Sequence, residues 1–270
     1  MSNGYSNGPA VQRTDAAIDQ GLRSFFLRTF NIMALGVALT GLVAWFVGSQ
    51  YISTAMGESV ALSGLIQVLY GTPLRWVLVF APLGLSFLFG GAIWVSRPAV
   101  SHAMFWTFCT VFALAVVPLL ASFMVTAVDK IFLAFLMSAF GFLSLSIYGY
   151  TTKADLTSWG TFGRVGILVA IVGSLGMLAM SAFGLAGAGG LSIFHMVINL
   201  VVAIASLALT AFSMQMLKSA YYSIRSGQVS NGLSVEQQLE SAGVAGALSL
   251  YINFMNLFLS LLSLLRGGGE

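Results

Sequence analysis

The sequence carries very little charge. Only 7% of its 270 residues are Asp, Glu, Lys or Arg, against about a quarter in an ordinary soluble domain, whereas 58% are hydrophobic. The mean hydropathy is +0.95. This composition excludes a soluble globule and predicts a polytopic protein whose partner is the lipid bilayer. The net charge of +3 does not indicate a nucleic-acid partner, because a few loop Lys and Arg residues account for it.

Residues that bind metals or form disulfides are also scarce. The one cysteine, Cys109, lies inside an apolar run, so no disulfide framework or CxxC motif exists. The two histidines, His102 and His195, are far apart and lack acidic neighbours, so we expect no metal site and no cofactor. His195 is the better candidate for a pH-sensitive group, because an unperturbed imidazole titrates near pH ~6.5.

Carboxylates are absent from the middle of every predicted span. The acidic residues lie in loops, tails or span ends: Asp15, Asp19, Glu58, Asp129, Asp155, Glu236, Glu240 and Glu270. Ionisable groups at mid-depth usually mark ion paths or proton relays. Their absence argues against a proton-coupled carrier built on buried carboxylates.

Two intramembrane protease classes lack their motifs here. A rhomboid-type site needs a GxSG nucleophile motif, and the segment 173–176 reads GSLG, with its serine misplaced. A zinc protease needs HExxH, which is absent from the sequence. We therefore expect a protein that is not an enzyme.

Seven apolar segments are each long enough to cross a bilayer, which needs roughly 20 residues. The sequence therefore predicts an all-α membrane protein, a seven-transmembrane helix bundle over residues 25–266 that follows a polar cytoplasmic tail, 1–24. The connection between the third and fourth segments is the least polar. The predicted spans are 25–48, 76–96, 99–123, 128–150, 161–182, 191–214 and 243–265.

The distribution of basic residues predicts the orientation. With the N-terminus inside, the cytoplasmic side holds eight basic residues and the opposite side three, which accounts for all 11 Lys and Arg residues. The positive-inside rule thus favours a cytoplasmic N-terminus. A re-entrant last segment, which would return the C-terminus to the cytoplasm, stays open as an alternative. The cytoplasmic set is Arg13, Arg23, Arg28, Arg97, Lys153, Arg164, Lys218 and Arg225, and the opposite set is Arg75, Lys130 and Arg266.

Polar residues follow one face of each of the last two spans. In the seventh they are Ser249, Asn253, Asn256, Ser260 and Ser263, and in the sixth, with one small residue, Asn199, Ala203, Ser206, Thr210 and Ser213. Because a helix repeats about every 3.6 residues, each set forms a stripe. A polar stripe in hydrocarbon needs partners, so we expect the last helix to lie near the centre of the bundle. The stripes serve either close helix packing or a narrow polar seam, and these interpretations are compatible.

Four stretches resemble one known family. They read LSIYGYTTKADLTSWG at 145–160, LTAFSMQ at 209–215, GALSLYINFMNLF at 246–258, and IDQGLRSFFLRTFNIMALGVALTGLVA at 18–44. In this order they are similar to the Bax inhibitor-1 family of transmembrane Bax-inhibitor-motif proteins, in its bacterial YccA-like branch. The resemblance implies a seven-helix bundle with a central last helix. It also implies a link to a pH-sensitive calcium leak, to protection from cell death in eukaryotes and, in bacteria, to binding of a membrane-anchored AAA protease.

The chain departs from the family pattern at the two aspartates to which the leak is attributed. The family's TAYDTQ reads TAFSMQ here, so Ser213 stands at the first aspartate position. The family's SLYLDFINLF reads SLYINFMNLF, so Asn253 stands at the second. The arginine that partners them has only a nearby candidate, Arg97. Neutral oxygens bind calcium weakly, so the switch is expected to be lost or moved, with His195 or Asp129 as replacements.

Two functions follow from this resemblance. The first is a small-cation leak, calcium among the cations, or a membrane-homeostasis factor of the bacterial inner membrane. The second is a non-conducting partner of a membrane protease or another membrane complex, with the tail 1–24 and the loop 218–241 as its cytoplasmic contacts.

Overall fold

The computed structural model describes residues 9–182, 188–228 and 232–267, and this part of the chain is helical with no strand. Seven of its helices are long and apolar enough to cross a membrane, which confirms the predicted fold class. The first eight residues, and part of the predicted break between the fifth and sixth spans, lie outside the described ranges. The helices are α1 (Pro9–Ala55), α2 (Ser63–Gly71), α3 (Leu74–Val95), α4 (Pro98–Thr126), α5 (Val128–Thr151), α6 (Thr157–Ala182), α7 (Ala188–Arg225) and α8 (Val235–Gly267).

Two features differ from the predicted segments. The helix α1 begins at Pro9, so the polar tail is helical well before the first apolar run. Packing explains this in part, because Leu22 and Phe25 are buried in the core. The short helix α2 lies between the first two spans, and its nine residues are too few to cross a bilayer.

The polar stretch 218–241 is mostly helical, because α7 continues to Arg225 and α8 begins at Val235. Capping interactions end α7 and start α8. At the end of α7, Gly227 has φ of +72°, and the Gln228 amide donates to the Ser223 carbonyl at 3.1 Å, closing the helix as a Schellman motif does. At the start of α8, the Ser234 amide donates to the Gln237 side chain, and the Gln237 amide donates to the Ser234 hydroxyl at 3.3 Å. This reciprocal pair is a capping box.

The third and fourth predicted spans are separate helices, although the connection between them is the least polar one. Ala127 alone separates α4 from α5, with φ of −164° and ψ of 62°, outside the helical region. One residue in this conformation is enough to end one helix and start the next, because it breaks the run of helical dihedral angles.

The last spanning helix, α8, lies at the centre of the bundle. It packs against α7, α1, α5, α4 and α3, and its side chains supply many of the fully buried groups. Tyr251 is packed edge-on against Phe105, Phe108 and Phe112 of α4, and its hydroxyl lies 2.6 Å from the Thr40 hydroxyl of α1. The expectation drawn from the polar stripe is therefore confirmed.

The contacts at its two ends show that α8 runs the length of the bundle. Near its start, the Ser241 hydroxyl donates to the Ser96 carbonyl, just before α4 begins. Near its end, the Lys130 ammonium donates to the Leu265 carbonyl at 3.0 Å, just after α4 ends. A helix of 33 residues is about 50 Å long. The geometry of α8 is that of a spanning helix and not of a re-entrant one.

Candidate functional site

Three polar side chains meet where α7 crosses α8. The hydroxyl oxygens of Ser213 and Ser249 lie 3.1 Å apart, and the Asn253 amide nitrogen donates to the Ser213 hydroxyl at 3.2 Å. Ser213 and Asn253 are both buried. These three residues, called the seam cluster below, include both positions at which the family resemblance implies aspartates.

The seam cluster is a neutral chain of hydrogen bonds. The Ser213 oxygen accepts from Asn253, which leaves the hydroxyl proton of Ser213 free to point at Ser249. None of the three side chains ionises in the physiological range. The arrangement holds the two helices together without charge, and it offers a cation no anionic oxygen.

The next polar residues along α7 are buried but do not join the cluster. The Thr210 hydroxyl donates back to the Ser206 carbonyl at 2.8 Å, within its own helix. The Ser206 hydroxyl is fully buried and has no hydrogen-bond partner among the described residues. A buried hydroxyl without a partner costs free energy unless an unseen group, such as a water molecule, satisfies it.

The remaining residues of both stripes do not belong to the seam cluster. Asn199 donates to the His195 carbonyl at 2.8 Å, and it lies about 21 Å from Ser213 along α7. On α8, Ser260 is buried and Asn256 is partly buried, about 10 Å and 4 Å along the helix from Asn253. No hydrogen bond joins either residue to the cluster within the described ranges.

The three ionisable candidates named from the sequence lie away from the seam cluster. His195 is exposed on α7, about 27 Å from Ser213 along the helix axis. Asp129 is exposed in the first turn of α5, and Arg97 is exposed just before α4. In the described part of the chain, no group of three His, Cys, Asp or Glu residues is close enough together to hold a metal ion.

Sequence reasoning missed a set of contacts around the end of α7. The Gln215 side chain donates to the Ala154 carbonyl at 2.7 Å and accepts from the Leu156 amide at 2.8 Å. The Lys218 ammonium donates to the Tyr150 carbonyl at 3.1 Å. These bonds fix α7 to the turn between α5 and α6, two residues beyond the seam cluster. The sequence held a signal for these contacts. Gln215 is the last residue of the TAFSMQ motif, and Tyr150 and Ala154 belong to the YGYTTKAD motif.

A cluster of one arginine, one glutamate and one histidine joins three helices near the start of α8. The Arg28 guanidinium of α1 lies 2.7 Å from the Glu240 carboxylate of α8, and His102 of α4 lies 3.4 Å from the same oxygen. The three side chains are partly exposed, so their pairing is screened by solvent. This cluster gives His102, an isolated residue in the sequence, a defined partner.

These features define a class: a multi-pass, all-helical membrane protein whose last helix is central and pairs with the preceding helix through a polar seam. Comparison with known families identifies it more closely. The family model described as "Inhibitor of apoptosis-promoting Bax1" matches residues 22–270, and the chain belongs to this family. The resemblance drawn from the motifs is therefore confirmed.

The relatives are bacterial proteins of nearly the same length. A protein of Caulobacter vibrioides is 31% identical, with 100% of this chain and 99% of the relative aligned. The YrjE protein of Lactococcus lactis is 33% identical, with 96% of each chain aligned. The inner membrane protein YbhL of Escherichia coli is 26% identical, over 93% of this chain and 95% of its own.

Proposed function

We propose that this chain is a non-enzymatic, small-cation leak of the bacterial inner membrane, with calcium among the cations and the α7–α8 seam as the path. In this proposal the N-terminus is cytoplasmic. The seam cluster closes the path with neutral hydrogen bonds in place of a carboxylate pair. Cations pass only when α7 and α8 separate at Ser213 and Asn253.

One observation carries the proposal. Ser213 and Asn253 are in direct hydrogen-bond contact at 3.2 Å, inside the bundle, at the two positions where the family resemblance implies proton-sharing aspartates. The unpartnered, buried hydroxyl of Ser206 lies about two turns further along α7 and extends the polar surface beyond the cluster. A polar track of this kind costs free energy in a bundle held together by apolar packing, and a conduction path gives it a purpose.

The chemistry predicts how such a leak differs from one built on carboxylates. Calcium prefers anionic oxygens, so serine and asparagine side chains hold it weakly. Two close carboxylates would raise the pKa of one of them and respond to pH, whereas the neutral seam cluster has no group to titrate. We therefore expect a slow leak in the native chain that does not change between about pH 5 and pH 8.

The location rests on the relatives and on the charges. YbhL is named as an inner membrane protein. The basic residues Arg28, Lys153 and Lys218 belong to the end of the bundle where α4, α6 and α8 begin, which supports a cytoplasmic position for that end.

Calcium uptake into liposomes tests the proposal. The purified native chain is compared, from about pH 5 to pH 8, with the double variant Ser213→Asp, Asn253→Asp. The single variant Ser213→Asn, which leaves two asparagines at the same positions, is the matched control because Asn and Asp have nearly the same shape. Flux from the native chain above empty liposomes supports the leak, and strong pH dependence should arise only in the double-aspartate variant.

Silence from the native chain would contradict the leak. If the double-aspartate variant then conducts, the path is retained but closed in this chain. If neither conducts at any pH, the scaffold holds no path at the seam.

The neutrality of the seam cluster also favours a second function, that of a non-conducting partner of a membrane protease or another membrane complex. A polar seam that is closed by hydrogen bonds between neutral side chains can serve to hold α7 and α8 together without passing ions. Co-purification of a stoichiometric membrane partner, together with silent liposomes, would establish this function in place of the leak.

A further inference from the structure

The helices α1 and α5 touch through two pairs of aromatic rings and, further along, line a common cavity. Phe26 packs against Tyr150 with ring centres 5.1 Å apart, and Phe30 packs against Phe142 at 6.4 Å. Further along both helices, a cavity of about 390 Å³ opens between them, with Leu120 of α4 and Met255 of α8 among the residues of its floor. We call this cavity the lateral wedge.

The lateral wedge is apolar. Among its lining residues, only Thr40 and Trp45 carry a polar side-chain group, a hydroxyl and an indole N–H. The Thr40 hydroxyl is already engaged, because it donates to the Gly36 carbonyl at 3.0 Å and lies 2.6 Å from the Tyr251 hydroxyl. A water molecule needs two to four polar partners to occupy a buried site, and the inner part of this wedge offers fewer, which favours an apolar occupant.

The mouth of the lateral wedge is continuous with the surface that faces lipid. Trp45 of α1 is 65% exposed and Phe132 of α5 is 66% exposed, and both line the cavity. Both helices are long and apolar enough to span the membrane. Where these helices span the bilayer, the medium outside the mouth is lipid, so the surface that faces lipid extends into the wedge.

The position of the lateral wedge favours a lipid chain over a partner helix. The wedge lies between α1 and α5 of one bundle, which touch further along through the Phe26–Tyr150 and Phe30–Phe142 ring pairs. A partner helix about 10 Å in diameter would have to lie between these two helices. A single polymethylene chain is narrow and flexible, and it can enter from the side while its headgroup stays at the membrane surface.

We propose that the lateral wedge binds one acyl chain of a membrane phospholipid, inserted between α1 and α5 onto the floor formed by α4 and α8. This site is separate from the seam cluster. On α8 it is lined by Met255 and Phe258, whereas the seam cluster uses Ser249 and Asn253. The proposal does not depend on ion conduction.

Photo-crosslinking with a phosphatidylethanolamine that carries a diazirine in the middle of one acyl chain tests the site. The full chain is reconstituted into vesicles of phosphatidylethanolamine and phosphatidylglycerol with a trace of this probe, irradiated, and mapped by peptide mass spectrometry. Leu120 and Met255 are 7% and 2% exposed, so bulk lipid reaches them only through the wedge. Leu88 of α3, which is 69% exposed, reports contact with bulk lipid.

A variant that fills the lateral wedge distinguishes labelling inside the wedge from labelling by bulk lipid. Gly41 lines the wedge, and a side chain added there meets nothing within 4 Å, so Gly41→Phe fills the space without a backbone clash. Gly84 of α3 also faces open space and lies outside the wedge, which makes Gly84→Phe the matched control. A second variant with a smaller side chain, Gly41→Leu, is included in case the large phenylalanine prevents folding.

The proposal predicts crosslinks at Leu120 and Met255 in the native chain and in Gly84→Phe, and their loss in both Gly41 variants. Labelling at Leu88 should be the same in all four proteins, which also shows that they are inserted in the bilayer. Absence of floor labelling in the native chain, or floor labelling that persists in both Gly41 variants, would overturn the site. A non-phospholipid molecule that co-purifies and blocks floor labelling until it is extracted would also overturn it.

Discussion

The helices α8 and α3 have nearly equal hydropathy, but α8 is central in the bundle and α3 is peripheral. The most apolar windows of these two spans have mean hydropathies of 1.8 and 2.0. Yet 56% of the window of α8 is buried inside the bundle, against 6% for α3. The amount of apolar surface therefore does not decide which helix is central.

What differs between the two helices is the arrangement of polar and small residues. Helix association in a bilayer gains little from apolar burial, because lipid chains are as apolar as leucine, and it depends on close packing and hydrogen bonds. On α8, Asn253 bonds to another helix, and Gly246 lies directly against Leu217 of α7. On α3, Ser86 bonds only within its own helix, and Gly84, Gly90 and Gly91 face open space.

The largest predicted effect comes from adding bulk at a glycine of each helix. In Gly246→Leu, the new side chain would overlap the fully buried Leu217 side chain, so Leu217 must change its conformation inside the core or α7 must shift. We expect a loss of about 1–3 kcal/mol in the free energy of unfolding, the usual cost of overpacking. Gly84→Leu on α3 should change stability little, because nothing lies within 4 Å.

Thermal unfolding of both glycine variants in the same detergent measures the difference. Equal midpoints would contradict the central position of α8. A lower midpoint for Gly84→Leu alone would show that α3 is packed against something that the isolated chain does not include.

A smaller effect is expected from removing one polar side chain of each helix. Asn253→Leu deletes the bond to Ser213 and leaves Ser213 bonded to Ser249 alone. Hydrogen bonds between membrane helices contribute about 0.6 kcal/mol on average and up to about 1.7, so we expect a loss within that range. Ser86→Ala on α3 should cost almost nothing, because the bond to the Pro82 carbonyl lies within one helix.

Steric trapping or denaturant unfolding in mixed micelles measures this second pair. If Asn253→Leu and Ser86→Ala lose the same free energy, the seam cluster does not hold α7 and α8 together.

Much of this architecture could be predicted from the sequence, because it depends on local patterns. Apolar length identified the seven spans, and the stripe from Ser249 to Ser263 identified the central helix. Which stripe residues meet could not be predicted, since the spacing of residues on one helix does not fix its register against the neighbouring helix. Ser213 meets Ser249 and Asn253, while Asn199 bonds within its own helix. The lateral wedge was missed for a related reason, because it depends on how four helices pack and not on a local pattern.

The smallest predicted effect concerns pH and distinguishes the seam cluster from the turn between α5 and α6. The Asp155 carboxylate accepts from the Thr157 hydroxyl at 2.6 Å and from the Thr157 amide at 2.9 Å, which caps the start of α6. These bonds lower the pKa of the fully exposed Asp155 carboxyl from its usual value. Because the folded pKa is the lower one, the stabilisation is complete above the ordinary pKa of aspartate, about 3.9, and is lost as the pH falls through the folded pKa.

In Asp155→Asn, the free energy of unfolding should therefore fall slightly less between neutral and acidic pH than in the native chain. Asn253→Leu should lower the free energy of unfolding by the same amount at every pH. Unfolding midpoints measured from about pH 3 to pH 7 test both statements on the same scale. An acid-sensitive loss in Asn253→Leu would mean that a titrating group reaches the seam, and the central helix would then carry charge chemistry that its neutral contacts do not reveal.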